Sequence, residues 1–106
     1  MTTFDDGTLR IDFVQRDVTI DGQPVHLSPK QYLVLVTLVR RQGQPVSVSE
    51  LTTRIWGNET HERGERIAVQ SYVAILRREL NPGSDALDYP AIDTVPGPGY
   101  QYRSRS

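Results

Sequence analysis

An α+β fold is predicted, and three observations predict it. Apolar residues alternate with period two in the first quarter of the chain, change to a helical period at Leu27, and alternate again after residue 90. Two serine-led capping signals, at Ser28 and Ser47, divide the helical part. Pro96-Gly97-Pro98-Gly99 marks a tight turn near the end. The expected order is therefore strands, three helices and a closing hairpin. At 106 residues, 37% of them hydrophobic, the chain can fill one modest core, so one domain over 1–106 is expected.

The strands are expected over about residues 8–27. Leu9, Ile11 and Phe13 alternate with Arg10 and Asp12, and Val18 and Ile20 repeat the pattern after a polar break. Asp21-Gly22 supplies a turn, and Val25 and Leu27 form another short strand that includes His26. An antiparallel meander follows from this spacing.

The first helix is expected over about 29–42. Ser28 caps it, Pro29 suits its first position, Gln31 completes a capping box, and Leu27 and Tyr32 form a hydrophobic staple. Tyr32, Leu35, Val36 and Val39 share one face, Arg40 and Arg41 suit the negative end of the dipole, and Gly43 suits the C-terminal cap. The second helix, about 48–56, starts from the capping box Ser47 to Glu50 and turns Val48, Leu51 and Ile55 inward. Asn58 to Gly64 reads as a polar loop. The third helix, about 65–80, carries Val69, Tyr72, Val73, Leu76 and Leu80 on one stripe, and Asn81-Pro82-Gly83 stops it. Ala91–Val95 and Tyr100–Tyr102 form the hairpin, about 91–103, with Pro98-Gly99 at the centre of a type II turn. The expected core is Ile11, Phe13, Leu27, Leu35, Val36, Leu51, Ile55, Val69, Val73, Leu76 and Leu80.

Composition removes several function classes. No cysteine is present, which excludes disulfide scaffolds, thiolate zinc sites and cysteine nucleophiles. His26 and His61 have no second ligand at metal spacing, and Gly97-Pro98-Gly99 lies between strands, not before a helix as a phosphate loop would. Each serine has a capping or tail position that accounts for it. An enzyme, a cofactor and a metal are therefore not expected. No apolar run approaches the roughly 20 residues of a membrane helix, and Met1 to Asp6 has neither part of a signal peptide, so a cytoplasmic location without membrane contact is expected.

Net charge is −1, but its distribution is uneven. Residues 1–27 carry five aspartates against two arginines, for −3, whereas residues 28–60 carry +2 and residues 61–81 carry +1. On the third helix, Ile67, Ala68, Ser71, Ala74, Ile75 and Arg78 face outward when counted from Val73, with Gln70 and Arg77 at the flanks. A surface of that kind marks contact with a partner. Glutamine pairs with adenine, arginine with guanine, and small apolar groups meet thymine methyls. Arg40-Arg41 reads as dipole complement, Glu62/Arg66 as a helix-surface pair, and Trp56 as a cap on the second helix.

Leu27-Ser28-Pro29-Lys30-Gln31-Tyr32, Ser47-x-x-Glu50-Leu51, Ile55-Trp56-Gly57, Leu76-Arg77-Arg78-Glu79-Leu80 and Gly97-x-Gly99-Tyr100, in that order, resemble the DNA-binding effector domain of the OmpR/PhoB family of response regulators. The likeness covers about residues 8–103, and Tyr72-Val73-x-x-Leu76-Arg77 with the long loop after Gly57 looks most like the KdpE type. The resemblance implies a winged helix-turn-helix that binds double-stranded DNA and regulates bacterial transcription in a two-component system. The third helix then enters the major groove and the hairpin, or wing, touches the minor groove or backbone. Gln70, Ser71 and Arg78 become base-contact candidates, with Ala74 and Ile75 beside them. Arg66, Arg77 and Thr94 become phosphate candidates. The Gly57–Gly64 loop would meet RNA polymerase, and head-to-tail pairs would occupy direct repeats. A receiver domain of this family needs roughly 120 residues, which this chain has no room for. An excised effector domain and a stand-alone regulator both fit. Departures from the family pattern are specific: Pro96 replaces the wing arginine, Val48 replaces a residue that is often basic, and Ile67, Ala74 and Ile75 stand where cations are common. They, with the acidic first quarter, support a rival reading as a protein-interaction module with weak or no DNA binding. Arg103 or Arg105 could replace the wing arginine only from the far strand or the tail.

Overall fold

The computed structural model describes residues 2–57, 63–80 and 91–103, with the backbone alone described at 63–65 and 91. The predicted polar loop, the stop at Asn81-Pro82-Gly83, His61, Arg105 and the Glu62/Arg66 pair therefore lie outside the described residues, apart from Gly57 and the backbone of Arg63 and Gly64.

The first layer is a four-stranded antiparallel meander in sequential order: β1 (Thr3–Asp5), β2 (Leu9–Asp12), β3 (Asp17–Ile20) and β4 (Gln23–Val25). Leu9 and Ile11 of β2 and Val18 and Ile20 of β3 are buried, so the period-two pattern does face one side inward. β1 is an unpredicted strand. It pairs Phe4 with Ile11, and Phe13 N–H donates to Thr2 C=O at 2.9 Å. Asp6 closes the β1–β2 turn by accepting from Thr8 and Leu9 N–H groups at 3.0 and 2.8 Å. The predicted strand ends shorten. Asp12 Oδ1 accepts from the Val14 and Gln15 N–H groups, which turns the chain at Phe13. His26 and Leu27 follow β4 without pairing, because the chain is already leaving for the helix.

α1 (Pro29–Arg40) begins as the sequence predicts. Ser28 Oγ accepts from Gln31 N–H, and the Gln31 side chain accepts from Ser28 N–H at 3.0 Å. It ends two residues early, with Arg41 as the cap, and Gly43 occupies a left-handed position further along the turn. The next two residues, Val46–Ser47, form β5, a short strand absent from the sequence reading. Ser47 then caps α2 (Val48–Trp56) by accepting from Glu50 N–H. The Glu50 carboxylate accepts from Arg41 at 2.6 Å, which ties the end of α1 to the start of α2. α3 (Arg63–Leu80) starts two residues earlier than predicted and takes Gly64 into its first turn.

β6 (Ala91–Val95) and β7 (Gly99–Arg103) form the hairpin, and β5 adds to it in the order β5–β7–β6. The turn differs from the predicted Pro98-Gly99 centre. Val95 pairs with Gly99, leaving Pro96, Gly97 and Pro98 as the loop, and Gly97 takes the left-handed position at φ 121°. Gly99 is needed for another reason: a Cβ there would sit 2.6 Å from the Val46 carbonyl oxygen. β5 can reach the hairpin only because that side chain is missing.

The core runs between the meander, the three helices and β7. Of the predicted core residues, Ile11, Leu35, Leu51, Val69, Val73, Leu76 and Leu80 are buried. Phe13, Leu27, Val36 and Ile55 are only half-buried and pack on its margin. Leu38, Val46 and Tyr102, which were not predicted, are fully enclosed. Tyr102 joins the wing to the meander: its ring meets Phe4 edge-on, and its hydroxyl donates to Asp6 Oδ2 at 2.6 Å.

Candidate nucleic-acid interface

α3 buries Val69, Val73, Leu76 and Leu80 and leaves Arg66, Ile67, Gln70, Ser71, Ala74, Arg77 and Arg78 exposed. The exposed arc is turned relative to the sequence reading. Gln70 and Arg77, expected at the flank, lie within it, whereas Ala68 and Ile75, expected on the outward face, are half-buried. At about 100° per residue, Ile75 sits roughly 110° from the centre of the exposed residues. The apolar strip of the rival reading thereby loses Ile75 and keeps Ile67, 53% exposed, beside Ala74.

The wing is fixed to this helix by one arginine. Arg77 Nε and Nη2 donate to the Ile92 carbonyl at 3.0 and 2.8 Å, and Nη2 also donates to Thr94 Oγ1 at 2.9 Å. The guanidinium lies 5.8 Å from the centre of the Tyr100 ring, which is buried beneath it. Two phosphate candidates from elements far apart in sequence are thus brought together. Nη1 keeps its two N–H donors without a partner among the described residues, and the Thr94 hydroxyl can still donate.

Arg66 is also engaged: Nη2 donates to Ser49 Oγ at 3.1 Å, which joins α3 to the first turn of α2. Arg78 is exposed, with no hydrogen bond or ion pair among the described residues. Gln70, Ser71 and Arg78 therefore present unspent donors and acceptors along one helical arc, flanked by Arg66 on one side of the sequence and Arg77 with Thr94 at the wing. Arg103 makes a two-bond contact with Asp93 across the hairpin, at 2.7 and 3.0 Å, and so does not project as a replacement for the wing arginine. The tip, Pro96-Gly97-Pro98, is exposed and uncharged.

Trp56 holds the far end of α2. Its ring stacks on Tyr72 of α3 with centres 6.4 Å apart, and the Lys30 ammonium lies 5.2 Å from the Trp56 ring centre. This agrees with its reading as a cap. Ser49 as the acceptor for Arg66 and the Ile92 carbonyl as the anchor of Arg77 were missed. Both are contacts across 15 or more residues, which no local spacing encodes.

Among the described residues no helix is long and apolar enough to cross a membrane, and no group of three metal-binding side chains occurs. What the surface offers is a helical arc of mixed polar and small apolar groups, bordered by three guanidiniums and backed by a hairpin locked at a fixed angle. That combination has the donors, acceptors and charge that base edges and a polyanion call for.

Comparison with known proteins agrees with this geometry. The family described as "Transcriptional regulatory protein, C terminal" matches residues 22–102. The transcriptional regulatory protein CutR of Streptomyces coelicolor is 36% identical over 93 residues, which are 88% of this chain and 39% of CutR. The transcriptional regulatory protein EmbR of Mycobacterium bovis is 39% identical over 85 residues, covering 79% of this chain and 21% of EmbR. The chain thus spans well under half the length of these relatives. Among solved structures, the DNA-binding domain of RstA from Klebsiella pneumoniae, in complex with the RstA box, superposes with a TM-score of 0.80 at 28% identity, over 97% of this chain and 98% of that one. The DNA-binding domain of CpxR from E. coli gives the same TM-score at 24% identity over the whole of both chains, which supports the fold.

Proposed function

Because the chain belongs to the family of transcriptional regulatory protein C-terminal domains, with the winged-helix fold of the OmpR/PhoB type, we propose that it binds double-stranded DNA at specific sequences and regulates transcription. The observation that carries this reading is the continuity of the α3 arc with the wing through Arg77 and Thr94. α3 enters the major groove. Gln70 pairs with adenine, Arg78 with guanine, Ser71 with either, and Ala74 meets a thymine methyl. Ile75, half-buried at the flank, touches only the groove edge. Arg77 Nη1 and the Thr94 hydroxyl take one phosphate, while Arg66, held by Ser49, takes another.

The wider setting belongs to the same proposal. The full regulator acts in the bacterial cytoplasm under two-component control, two copies sit head-to-tail on direct repeats, and the 57–64 segment faces RNA polymerase. No catalytic role is assigned to the chain, and 1–106 acts as one DNA-binding unit.

A pool of random duplexes, selected by repeated binding and sequenced, tests the reading. Enrichment of one motif is expected, with Gln70→Ala and Arg78→Ala each weakening binding by about tenfold or more and relaxing preference at separate base positions. A pool that stays random after selection at low salt would sink it. A stable self-association lost in Ile67→Asp, with no DNA shift, would favour the protein-interaction module. The exposure of Ile67 beside Ala74 and the uncharged tip of the wing are the structural observations on that side.

A further inference from the structure

A cleft lies where β3 and β4 meet the first turn of α1, and no residue of α3 or the hairpin lines it. Its lining is Arg16, Val18, Val25, Leu27, Pro29 and Tyr32, around a volume of about 130 Å³. Arg16, Val18, Val25 and Leu27 also line an adjoining hollow of about 390 Å³, so the space opens along the sheet surface. Three features of this cleft are not explained by DNA binding.

The first is Arg16, which holds a left-handed backbone at φ 60°. A residue with a side chain is strained there, and glycine would not be. The second is Tyr32. Its side chain is 92% enclosed, yet its hydroxyl has no hydrogen-bond partner among the described residues. No fully buried side-chain polar atom among those residues lacks a partner, so this hydroxyl keeps accessible surface on a residue that lines the cleft. The third is charge. The Arg16 guanidinium lies 5.8 Å from the Tyr32 ring centre, and Arg16 and Arg40 act on the phenol against the smaller opposing effect of Asp12. The nearby Asp12 is already accepting from two backbone N–H groups, and Asp17 lies in the adjoining hollow.

We propose that this cleft is a binding site for a small carboxylate carried on an apolar body. The carboxylate accepts from the Arg16 guanidinium and the Tyr32 hydroxyl, and a short branched or aromatic group rests on Val18, Val25 and Leu27. The cleft proper, at about 130 Å³, is below the roughly 300 Å³ of drug-sized pockets, so a ligand seated between Arg16 and Tyr32 is of benzoate size. The left-handed Arg16 is retained because it delivers the guanidinium over the tyrosine.

The test is a titration of ¹⁵N-labelled chain, followed by amide shifts, with benzoate, its neutral isostere benzamide, and N-acetyl-leucine as a chain-terminal carboxylate. Saturable shifts at residues 16–18, 25 and 32 are expected with benzoate, and about tenfold weaker binding with benzamide. Tighter binding of N-acetyl-leucine than of benzoate would assign the same carboxylate chemistry to a polypeptide terminus. Tyr32→Phe and Arg16→Gly are both expected to weaken benzoate by about tenfold with spectra that stay dispersed. Arg16→Gly should leave Tm unchanged or raise it, since the backbone strain is relieved. Absence of saturable shifts, equal binding of benzamide and benzoate, or wild-type affinity in both variants would overturn the proposal.

Discussion

Single residues fix the junctions of this molecule. Tyr102 is enclosed, and burial first, then its hydrogen bond to Asp6, pushes its phenol well above the usual tyrosine range. In the unfolded chain it ionises near pH 10 (about the reference value) while the folded form keeps its proton. Its contribution is therefore complete below about pH 10 and is lost as pH rises beyond that. Tyr102→Phe is expected to cost about 1–2 kcal/mol at pH 7, and the gap to wild type should narrow by pH 11. Urea unfolding at the two pH values checks it, and a gap independent of pH would refute it. Tyr32 is shifted upward too, by burial, against the opposing effect of Arg16 and Arg40. Gly99 gives a second residue-scale prediction. Gly99→Ala must push β5 off β7, because its Cβ would stand 2.6 Å from the Val46 oxygen. A loss of about 1–3 kcal/mol in thermal or urea unfolding is expected.

Elements show where sequence reasoning succeeds and where it stops. The α1 boundary was legible because Ser28, Pro29 and Gln31 are a local capping device, and the structure forms both of its bonds. Ser28→Ala should therefore cost about 1 kcal/mol of stability, measurable by urea unfolding, and no change would show the cap to be idle. β1 and β5 were illegible for the opposite reason. Three and two residues long, they exist through pairing with β2 and β7 and not through any period of their own. The turn of α3 was only half legible. Counting from Val73 identified the buried stripe, but the wing side of the arc depends on where β6 packs. There Arg77 bonds Ile92 and Thr94 of β6, a contact that no count along the helix contains. β4 shows a further device. Pro24 pairs with Thr19 of β3 in the meander and has no N–H to offer on the open side of this edge strand, which blunts it against pairing with another sheet.

For the whole molecule, a net charge of −1 suggests a poor partner for DNA. The structure separates the charges: the −3 of residues 1–27 lies in the meander and the turn that follows it, while +2 belongs to residues 28–106, which carry α3 and the wing. Yet part of that positive charge is offset internally, because Arg41 holds Glu50 and Arg103 holds Asp93, whereas Arg66 and Arg77 bond neutral groups and keep their charge for phosphate. Few phosphates can be neutralised, so a shallow salt dependence is expected, with a specificity that rests on base contacts. The measurement that tests this most directly is the DNA affinity of wild type, Arg77→Ala and Arg78→Ala across a salt series, on the selected duplex and on a scrambled one. The predicted result is a log–log slope of about −2 to −4 for wild type, reduced by about one unit in Arg77→Ala, and a preference for the selected duplex that collapses in Arg78→Ala. Equal binding of both duplexes by all three proteins, or no binding at low salt, would contradict it.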